Sequence, residues 1–243
     1  PQRLMQDFDK HHAAEAFEVE VYCQLPFTKD FADLSAEAFH EQVLSALRPS
    51  AIITGNDFQY GKGRTGNIGT LAAAAGDLGF DYHAVDKVSG EQIGVYSSTV
   101  IRGLISAGKI AEANSALCRD WSITSVVERG DQIGRTIGFP TANLSLGSYQ
   151  RPAQGIYAVK VGIGDEPKHR PGAAYYGFRP SLDGQEERFE VHLLDFDADI
   201  YDQTLRVEFI EHIRGDKKLV GLEALTAQIA EDCQACRQVL EKS

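Results

Sequence analysis

The run GDQIGRTIGFPTANL, residues 130–144, is the most informative stretch of the 243-residue chain, because glycine recurs in it at four-residue spacing. Gly130, Gly134 and Gly138 let the backbone turn tightly and approach a ligand closely, since glycine has no Cβ. The N–H groups of such a loop can converge into a concave anion site. The run therefore predicts a phosphate-holding loop, although glycine-rich runs are more often simple turns.

The end of the same run adds two oxygen ligands. Pro140 fixes one backbone angle directly before Thr141, and Asn143 follows two residues later. A hydroxyl and an amide oxygen are hard ligands of the kind that Mg²⁺ accepts beside phosphate oxygens. The pattern indicates a magnesium–phosphate site at Thr141 and Asn143, but composition alone favours an ordinary polar turn.

Strand candidates dominate the chain from Trp121 onward, and no helix is expected before Leu222. The strand candidates are WSITSVVERG (121–130), GIYAVKVGI (155–163), GAAYYGF (172–178), RFEVHLLDF (188–196) and TLRVEFIEHI (204–213). One amphipathic stripe follows, formed by Leu222, Leu225, Ile229, Cys233, Cys236 and Leu240. The pattern predicts a small antiparallel Greek-key β-barrel with a C-terminal helix packed outside it.

The first half of the chain alternates strand-like and helix-like segments. Its candidates are a strand at Val19, Val21 and Cys23, a helix capped by Ser35, a strand at 51–55, a helix from Leu71 to Leu78, a strand at 81–88 and a helix begun by Ser97 or Ser98. This alternation predicts a parallel, Rossmann-like α/β domain over 1–118. The second domain would cover 121–243, with the boundary near 118–122.

Composition narrows the class of protein. The formal net charge is −11 and both halves are acidic, so no basic stripe could neutralise a nucleic-acid backbone. No apolar stretch approaches the roughly 18 residues of a membrane span, and no signal peptide is visible. Cys233 and Cys236 lack a second Cys/His pair, which favours reduced thiols over a metal or redox site. We expect a cytoplasmic protein with small-molecule substrates, monomeric or weakly self-associating, without nucleic-acid or membrane partners.

Taken whole, GRTIGFPTANL (134–144) closely resembles the signature of riboflavin kinases, which transfer the γ-phosphate of ATP to the 5′-hydroxyl of riboflavin. The resemblance continues in register through PAQGIYAVKV (152–161), GAAYYGFRPSLDG (172–184), FEVHLLDFDADIY (189–201) and LEALTAQIAEDC (222–233). It implies that Thr141 and Asn143 hold Mg²⁺ and ATP phosphates. The other substrate-binding residues that it implies are Gly134, Arg135, Gly138, Pro140 and Arg214. The loop after Arg214 departs from the family, with Gly215-Asp216 where Pro-Glu is commoner.

The resemblance also implies a general base, Glu190, which lies in the strand RFEVHLLDF. Alternation places Phe189 and Val191 on one face of that strand and Glu190 on the other. A carboxylate on a rigid strand can be held within hydrogen-bond reach of a hydroxyl, as a general base requires. On pattern alone, Glu190 would instead be a solvated carboxylate paired with Arg188 or Arg206.

The segment GNDFQYGKGRTGN, residues 55–67, is glycine-rich and basic but is not a P-loop, because its spacing is one residue too long and Gly63 follows Lys62. It resembles a segment of the FMN adenylyltransferase module that precedes riboflavin kinase in bacterial FAD synthetases, as does YSSTVIRGLISAG (96–108). The resemblance implies a nucleotide and flavin cleft lined by Asn56, Asp57 and Phe58. It also implies that phosphates bind at a helix N-terminus through Ser97, Ser98, Thr99 and Arg102.

An H-x-G-H motif opens that adenylyltransferase family and is absent from this sequence, which begins at Pro1 instead of methionine. We therefore expect this polypeptide to form FMN from riboflavin, and the complete protein to form FAD as well. The implied substrates are ATP, riboflavin and FMN, with Mg²⁺ as cofactor. The alternative is a flavin-nucleotide binding or regulatory protein without turnover, for which a base at Glu190 would have no use.

Overall fold

The computed structural model describes residues 2–90, 93–130, 133–166, 168–181, 184–217 and 219–242. The helices are α1 (Asp7–Ala16), α2 (Lys29–Ala32), α3 (Ala36–Phe39), α4 (Ser45–Leu47), α5 (Ile68–Leu78), α6 (Ser98–Ser106), α7 (Ile110–Leu117), α8 (Ile133–Thr136) and α9 (Leu222–Leu240). The strands are β1 (Ala51–Gly55), β2 (Gln59–Tyr60), β3 (Gly66–Asn67), β4 (Asp81–Val85), β5 (Ser89–Gly90), β6 (Gly94–Val95), β7 (Trp121–Val126), β8 (Ala142–Leu144), β9 (Gly155–Ile163), β10 (Arg170–Ser181), β11 (Gly184–Leu193) and β12 (Thr204–Gly215).

The elements group into two compact units, one of Pro1–Val19 with Ser97–Ser243 and one of Glu20–Tyr96. Among the described residues, no helix is both long and apolar enough to cross a bilayer.

In the larger unit, described residues form a six-stranded antiparallel sheet in the order β7-β12-β9-β10-β11-β8. The run β12-β9-β10-β11 is a Greek key, because the fourth strand lies beside the first. The sheet curls until Glu128, just past β7, pairs with Asn143 in β8, and the Glu128 N–H donates to the Asn143 carbonyl at 2.8 Å. The predicted antiparallel barrel is confirmed.

The barrel core is aromatic at its centre. Trp121, Tyr157 and Phe209 are fully buried, and their ring centroids lie 4.7 Å (Trp121–Phe209) and 5.2 Å (Tyr157–Phe209) apart. Phe189 and Val191 on β11 face this core, as the alternation predicted. Each such side chain contributes roughly 1.5–3 kcal/mol on burial, so the inner face holds the strands in register.

Helix α9 packs against β9, β10 and β12, as its amphipathic stripe predicted. Cys236 is fully buried, and its thiol lies 3.6 Å from the Tyr157 carbonyl oxygen. Leu222 at the start of the stripe is exposed. A short helix, α8, also precedes α9, where no helix was expected.

The N-terminal residues pack on the barrel unit, which the sequence did not predict. The Trp121 indole N–H donates to the Leu4 carbonyl at 3.1 Å. The buried Asp9 carboxylate of α1 accepts hydrogen bonds from Tyr149 at 2.5 Å and from Thr124 at 3.0 Å. Helix α7 also packs on β7 and β12. The boundary that the sequence predicts near 118–122, between the two functional domains, stays a prediction.

The smaller unit contains parallel strands, as predicted. Strand β1 pairs with β4 in parallel from Ala51–Asp81 to Gly55–Val85, and α5 packs against β4. Asn67 caps α5 by accepting from the Gly69 N–H at 2.8 Å. The helix predicted after Ser35 forms with a π-helical turn, His40–Leu44, between α3 and α4.

One predicted strand in the first half is wrong. Val19 and Val21 lie outside the described helices and strands, and both side chains are exposed, as is Cys23. Alternating side chains alone do not stabilise a β-strand, because its backbone N–H and C=O groups need a neighbouring strand as hydrogen-bond partner.

Candidate active site on the barrel

A single row of residues runs across five strands of the barrel and carries the predicted kinase residues. Asn143 lies opposite Glu190, Glu190 opposite Tyr175, Tyr175 opposite Ile156, and Ile156 opposite Arg214. Directly paired residues project to the same face of a sheet. Register therefore brings together Asn143, Glu190 and Arg214, which are distant in sequence.

This row lines a cavity of about 540 Å³, within the size range of sites for small molecules. Its lining combines polar and charged side chains with a set of apolar ones, here called the apolar wall: Ile137, Phe139, Ile156, Leu219, Leu225 and Ile229. The lining residues are Gly134, Ile137, Phe139, Thr141, Asn143, Ile156, Ala173, Ala174, Tyr175, Arg179, Glu190, His192, Arg214, Asp216, Lys217, Leu219, Leu225, Ile229, Asp232 and Cys233.

Glu190 lines the cavity, and its side chain is 15% exposed. Its carboxylate accepts a hydrogen bond from the Thr141 hydroxyl at 3.4 Å and lies 3.4 Å from an Arg179 guanidinium nitrogen. Arg188 and Arg206, the partners expected if Glu190 were an ordinary surface carboxylate, contact Glu186 and Glu208 instead. Glu190 can therefore accept a proton from a hydroxyl bound in the cavity.

The glycine-rich loop folds tightly against the strand that carries Glu190. The Phe139 N–H donates to the Gly134 carbonyl at 2.8 Å, and a Cβ at position 134 would collide with the Phe139 carbonyl oxygen. Gly138 has a φ of +86°, which favours glycine. The Pro140 carbonyl lies 2.7 Å from Nδ1 of His192 on β11. These contacts fix the loop beside Thr141 without involving its hydroxyl.

A second, smaller cavity of about 90 Å³ is also lined by residues of this loop. Arg135, Pro140 and Thr141 line it, with residues of the segment 193–201 opposite. Thr141 lines both cavities, so this residue marks the junction between them. Two ligands that react with each other could meet there.

Arg214 has a partner that sequence reasoning missed. Its Nε and Nη2 donate to the two carboxylate oxygens of Asp232 on α9, both at 2.7 Å, and Asp232 is 5% exposed. This pairing raises the pKa of Arg214. The signal lay in the amphipathic stripe, because Asp232 falls on the same side of α9 as Ile229 and Cys233, where an unpaired charge would be costly.

The predicted magnesium site in the cavity has two oxygen donors, the side chains of Thr141 and Asn143. Two donors are too few for a metal that is coordinated by protein ligands alone, but they are enough for Mg²⁺. Thr141 and Asn143 supply a hydroxyl and an amide, and Asn143 lies against Gly130, where a Cβ would displace its side chain. Among the described residues, no three His, Cys, Asp or Glu side chains form a metal-binding group. Mg²⁺ fits such a sparse donor set, since it commonly keeps waters and shares phosphate oxygens.

The predicted adenylyltransferase residues that follow β1 lie in the smaller unit. The Asn56 amide donates to Asp86 at 2.9 Å, and Asp57 pairs with Lys87 at 3.0 Å. The hydrogen bond and charge of Lys87 lower the pKa of Asp57. Phe58 stacks on Tyr60 with ring centroids 5.5 Å apart.

The remaining predicted adenylyltransferase residues begin α6 in the larger unit. Of the two predicted caps, Ser97 and Ser98, the structure has Ser97, whose hydroxyl accepts from the Val100 N–H at 3.3 Å. Ser98 and Thr99 occupy the first turn, and Arg102 donates to the Thr99 hydroxyl at 3.3 Å. Neither barrel cavity described above is lined by these residues or by those after β1.

Comparisons with known proteins agree with both halves of the chain. The riboflavin kinase family matches residues 117–240, and the FAD synthetase family matches residues 1–99. The bifunctional riboflavin kinase/FMN adenylyltransferase of Escherichia coli K12 is 37% identical over 214 residues, which cover 87% of this chain and 67% of that protein. The protein of the same name from Haemophilus influenzae is 35% identical over 240 residues, covering 98% and 77%.

A solved structure shares the fold over almost the whole chain. It is described as a macrolide-efflux protein from Streptococcus pneumoniae, and it aligns with a TM-score of 0.86 at 31% identity, covering 96% of this chain and 75% of that one. The family matches and the two relatives thus confirm the resemblance to riboflavin kinases and to the FMN adenylyltransferase module that the sequence indicated. The chain belongs to the bifunctional riboflavin kinase/FMN adenylyltransferase family.

Proposed function

We propose that this chain phosphorylates riboflavin to FMN with ATP, in the barrel site. The observation that carries the proposal is the cross-strand row from Asn143 through Glu190 to Arg214, which places oxygen donors, a carboxylate and a guanidinium in one cavity. The riboflavin kinase family match over 117–240 supports the same activity. Phosphoryl transfer asks a protein mainly to position its reactants and to neutralise charge, which such a row can do.

Glu190 is the proposed general base. The terminal hydroxyl of riboflavin gives its proton to the Glu190 carboxylate while its oxygen bonds to the γ-phosphorus of ATP. The bond from that phosphorus to the bridging oxygen breaks, and ADP leaves. The hydrogen bond from Thr141 and the contact with Arg179 orient the carboxylate for this role.

The phosphate groups are proposed to lie at the junction marked by Thr141. ATP would extend into the smaller cavity beside Arg135, and riboflavin would occupy the larger one, whose apolar wall suits a flavin ring. Thr141 and Asn143 would hold Mg²⁺, which supplies charge neutralisation for the phosphate oxygens when it is bound. Gly134 and Gly138 keep the loop compact enough for its backbone to face the phosphates.

We propose FMN adenylylation to FAD as the second activity of the protein. It is supported by the FAD synthetase match over residues 1–99 and by the bifunctional relatives. Asn56, Asp57 and Phe58 and the start of α6, from Ser97 to Arg102, are its proposed nucleotide residues. The cysteines in the described part of the chain are free, which agrees with the cytoplasmic location that we propose for the protein.

The activity can be tested by incubating the protein with riboflavin, ATP and Mg²⁺ and separating the flavins by chromatography. We expect FMN to accumulate, with one ADP formed for each FMN. A reaction without ATP is the control. Unchanged riboflavin in the presence of tight flavin binding would contradict the proposal and favour the non-catalytic binding protein.

A further inference from the structure

Tyr175 lies in the middle of the cross-strand row, between Glu190 and Ile156. Its ring extends along β10, and a Cβ at Gly177 would collide with the phenolic oxygen. The hydroxyl therefore lies over Gly177, two residues further along the strand, or roughly 7 Å from the row of Glu190. Because Gly177 has no Cβ, it leaves room for the Tyr175 ring beside it.

Tyr175 lines the cavity, and within the described ranges its hydroxyl forms no hydrogen bond. Burial, followed by the charge of Asp216, raises the pKa of this phenol, so at neutral pH it stays a hydrogen-bond donor. The neighbouring Tyr176 differs, because its hydroxyl donates to Glu187 at 3.0 Å and its side chain is buried. The two adjacent tyrosines thus lie on opposite faces of β10, and the face that carries Tyr175 lines the cavity.

We propose that the Tyr175 hydroxyl binds the polyol chain of the acceptor substrate and selects acceptors with hydroxyls on the carbons next to the reacting terminus. This inference rests on the proposed function of the cavity. Glu190 takes the proton of the terminal hydroxyl, and Tyr175 reaches a hydroxyl further along the same chain. An acceptor without inner hydroxyls cannot form this hydrogen bond, so it binds less well.

The test pairs one variant with two acceptors. Tyr175→Phe removes the hydroxyl and keeps the ring, and Tyr176→Phe is the matched control. The acceptors are riboflavin and a flavin whose side chain keeps the terminal hydroxyl but has hydrogen in place of the inner ones. FMN or its analogue is quantified to give kcat and KM for each pair.

With riboflavin, Tyr175→Phe is expected to lower kcat/KM about three- to ten-fold, mainly through KM, the usual effect of one neutral hydrogen bond. With the analogue, Tyr175→Phe and the unmodified protein should be equal. Tyr176→Phe should discriminate between the acceptors as the unmodified protein does. If Tyr175→Phe still discriminates fully, the inference is wrong while the kinase activity stands. If the unmodified protein forms no FMN, the proposed function fails, and this inference with it.

Discussion

At the scale of single residues, the pair between Arg214 and Asp232 shows how a side chain on a barrel strand is held in place by a partner on α9. Arg214 lines the cavity, and both donor atoms of its bidentate pair are engaged by a nearly buried carboxylate. The charge of Asp216 also raises the pKa of Arg214. Without the Asp232 carboxylate, the Arg214 guanidinium would be free to move away or to pair with Asp216 instead. We therefore propose that Asp232 positions Arg214.

We expect Asp232→Asn to raise the KM for riboflavin about tenfold with little change in kcat, because Arg214 loses its alignment while Glu190 keeps its own. Stability should fall by roughly 1–3 kcal/mol, since a nearly buried charge pair is lost. Steady-state kinetics and urea unfolding measure the two effects. Glu231→Gln removes a charge from the exposed neighbour on α9 and should change neither. Equal kinetics in both variants would show that Asp232 has no positioning role.

At the scale of elements, the proposed reaction depends most on the shape of the loop that runs from Gly134 in α8 to the start of β8. It contains the close approach of Gly134 to the Phe139 carbonyl and the contact of the Pro140 carbonyl with His192. An added methyl at 134 cannot be relieved by rotating a side chain, because the opposing atom belongs to the backbone. The loop would move, and Thr141 with it.

Gly134→Ala should therefore lower kcat/KM for FMN formation about 10- to 100-fold, the scale expected when a reacting group is displaced by about 1 Å. Gly103→Ala in α6 makes the same chemical change where no atom lies within 4 Å of the new Cβ. That variant should gain about 0.5–1 kcal/mol of stability and keep the kinase activity. Unaltered kinetics in Gly134→Ala would contradict the role given to the loop.

Elements with strong local signals could be predicted from the sequence, and those that depend on pairing could not. The alternation in β11 and the cap of α6 at Ser97 were correct, because each depends on a few neighbouring residues. The row from Asn143 to Arg214 was not visible, since it depends on strand order and on irregular pairing in β12 between 209 and 214. The strand predicted at Val19 and Val21 failed for the same reason, because no described strand pairs with it.

The docking of α1 on the barrel shows the same limit over a longer distance. Asp9 and Tyr149 are separated by 140 residues, and nothing in either local pattern links them. Of the candidate site, the sequence supplied the residue types through family resemblance, and the structure added their geometry. Asp232 and Tyr175 required the fold, because their neighbours come from other elements.

At the scale of the whole molecule, buried thiol and phenol groups predict that the folded protein loses stability at alkaline pH. Burial raises the pKa of Cys233 to about 11 and of Cys236 to about 12, and it also raises the pKa of Tyr149, Tyr157 and Tyr176. The unfolded chain releases these protons at ordinary values, near 8.5 for thiols and near 10 for tyrosine. Between about pH 9 and 11 the unfolded state therefore holds fewer protons than the folded state, and stability falls as pH rises.

We expect the Tm to be lower at pH 10.5 than at pH 7.5, with the decline beginning near pH 9. Cys233→Ser, whose hydroxyl does not titrate in this range, should show a shallower decline than the unmodified protein. Thermal unfolding followed by circular dichroism at several pH values measures both. A Tm that is constant or rises over this range would contradict the linkage.

The measurement that tests the central claim most directly is the rate of FMN formation by Glu190→Gln, together with its affinity for riboflavin. The account predicts a rate reduced about 100-fold or more, because the amide cannot accept the proton of the reacting hydroxyl. Riboflavin affinity should stay within about twofold, because the row from Asn143 to Arg214 and the apolar wall remain. An unchanged rate of FMN formation in Glu190→Gln would contradict the assignment of the base and the chemistry built on it.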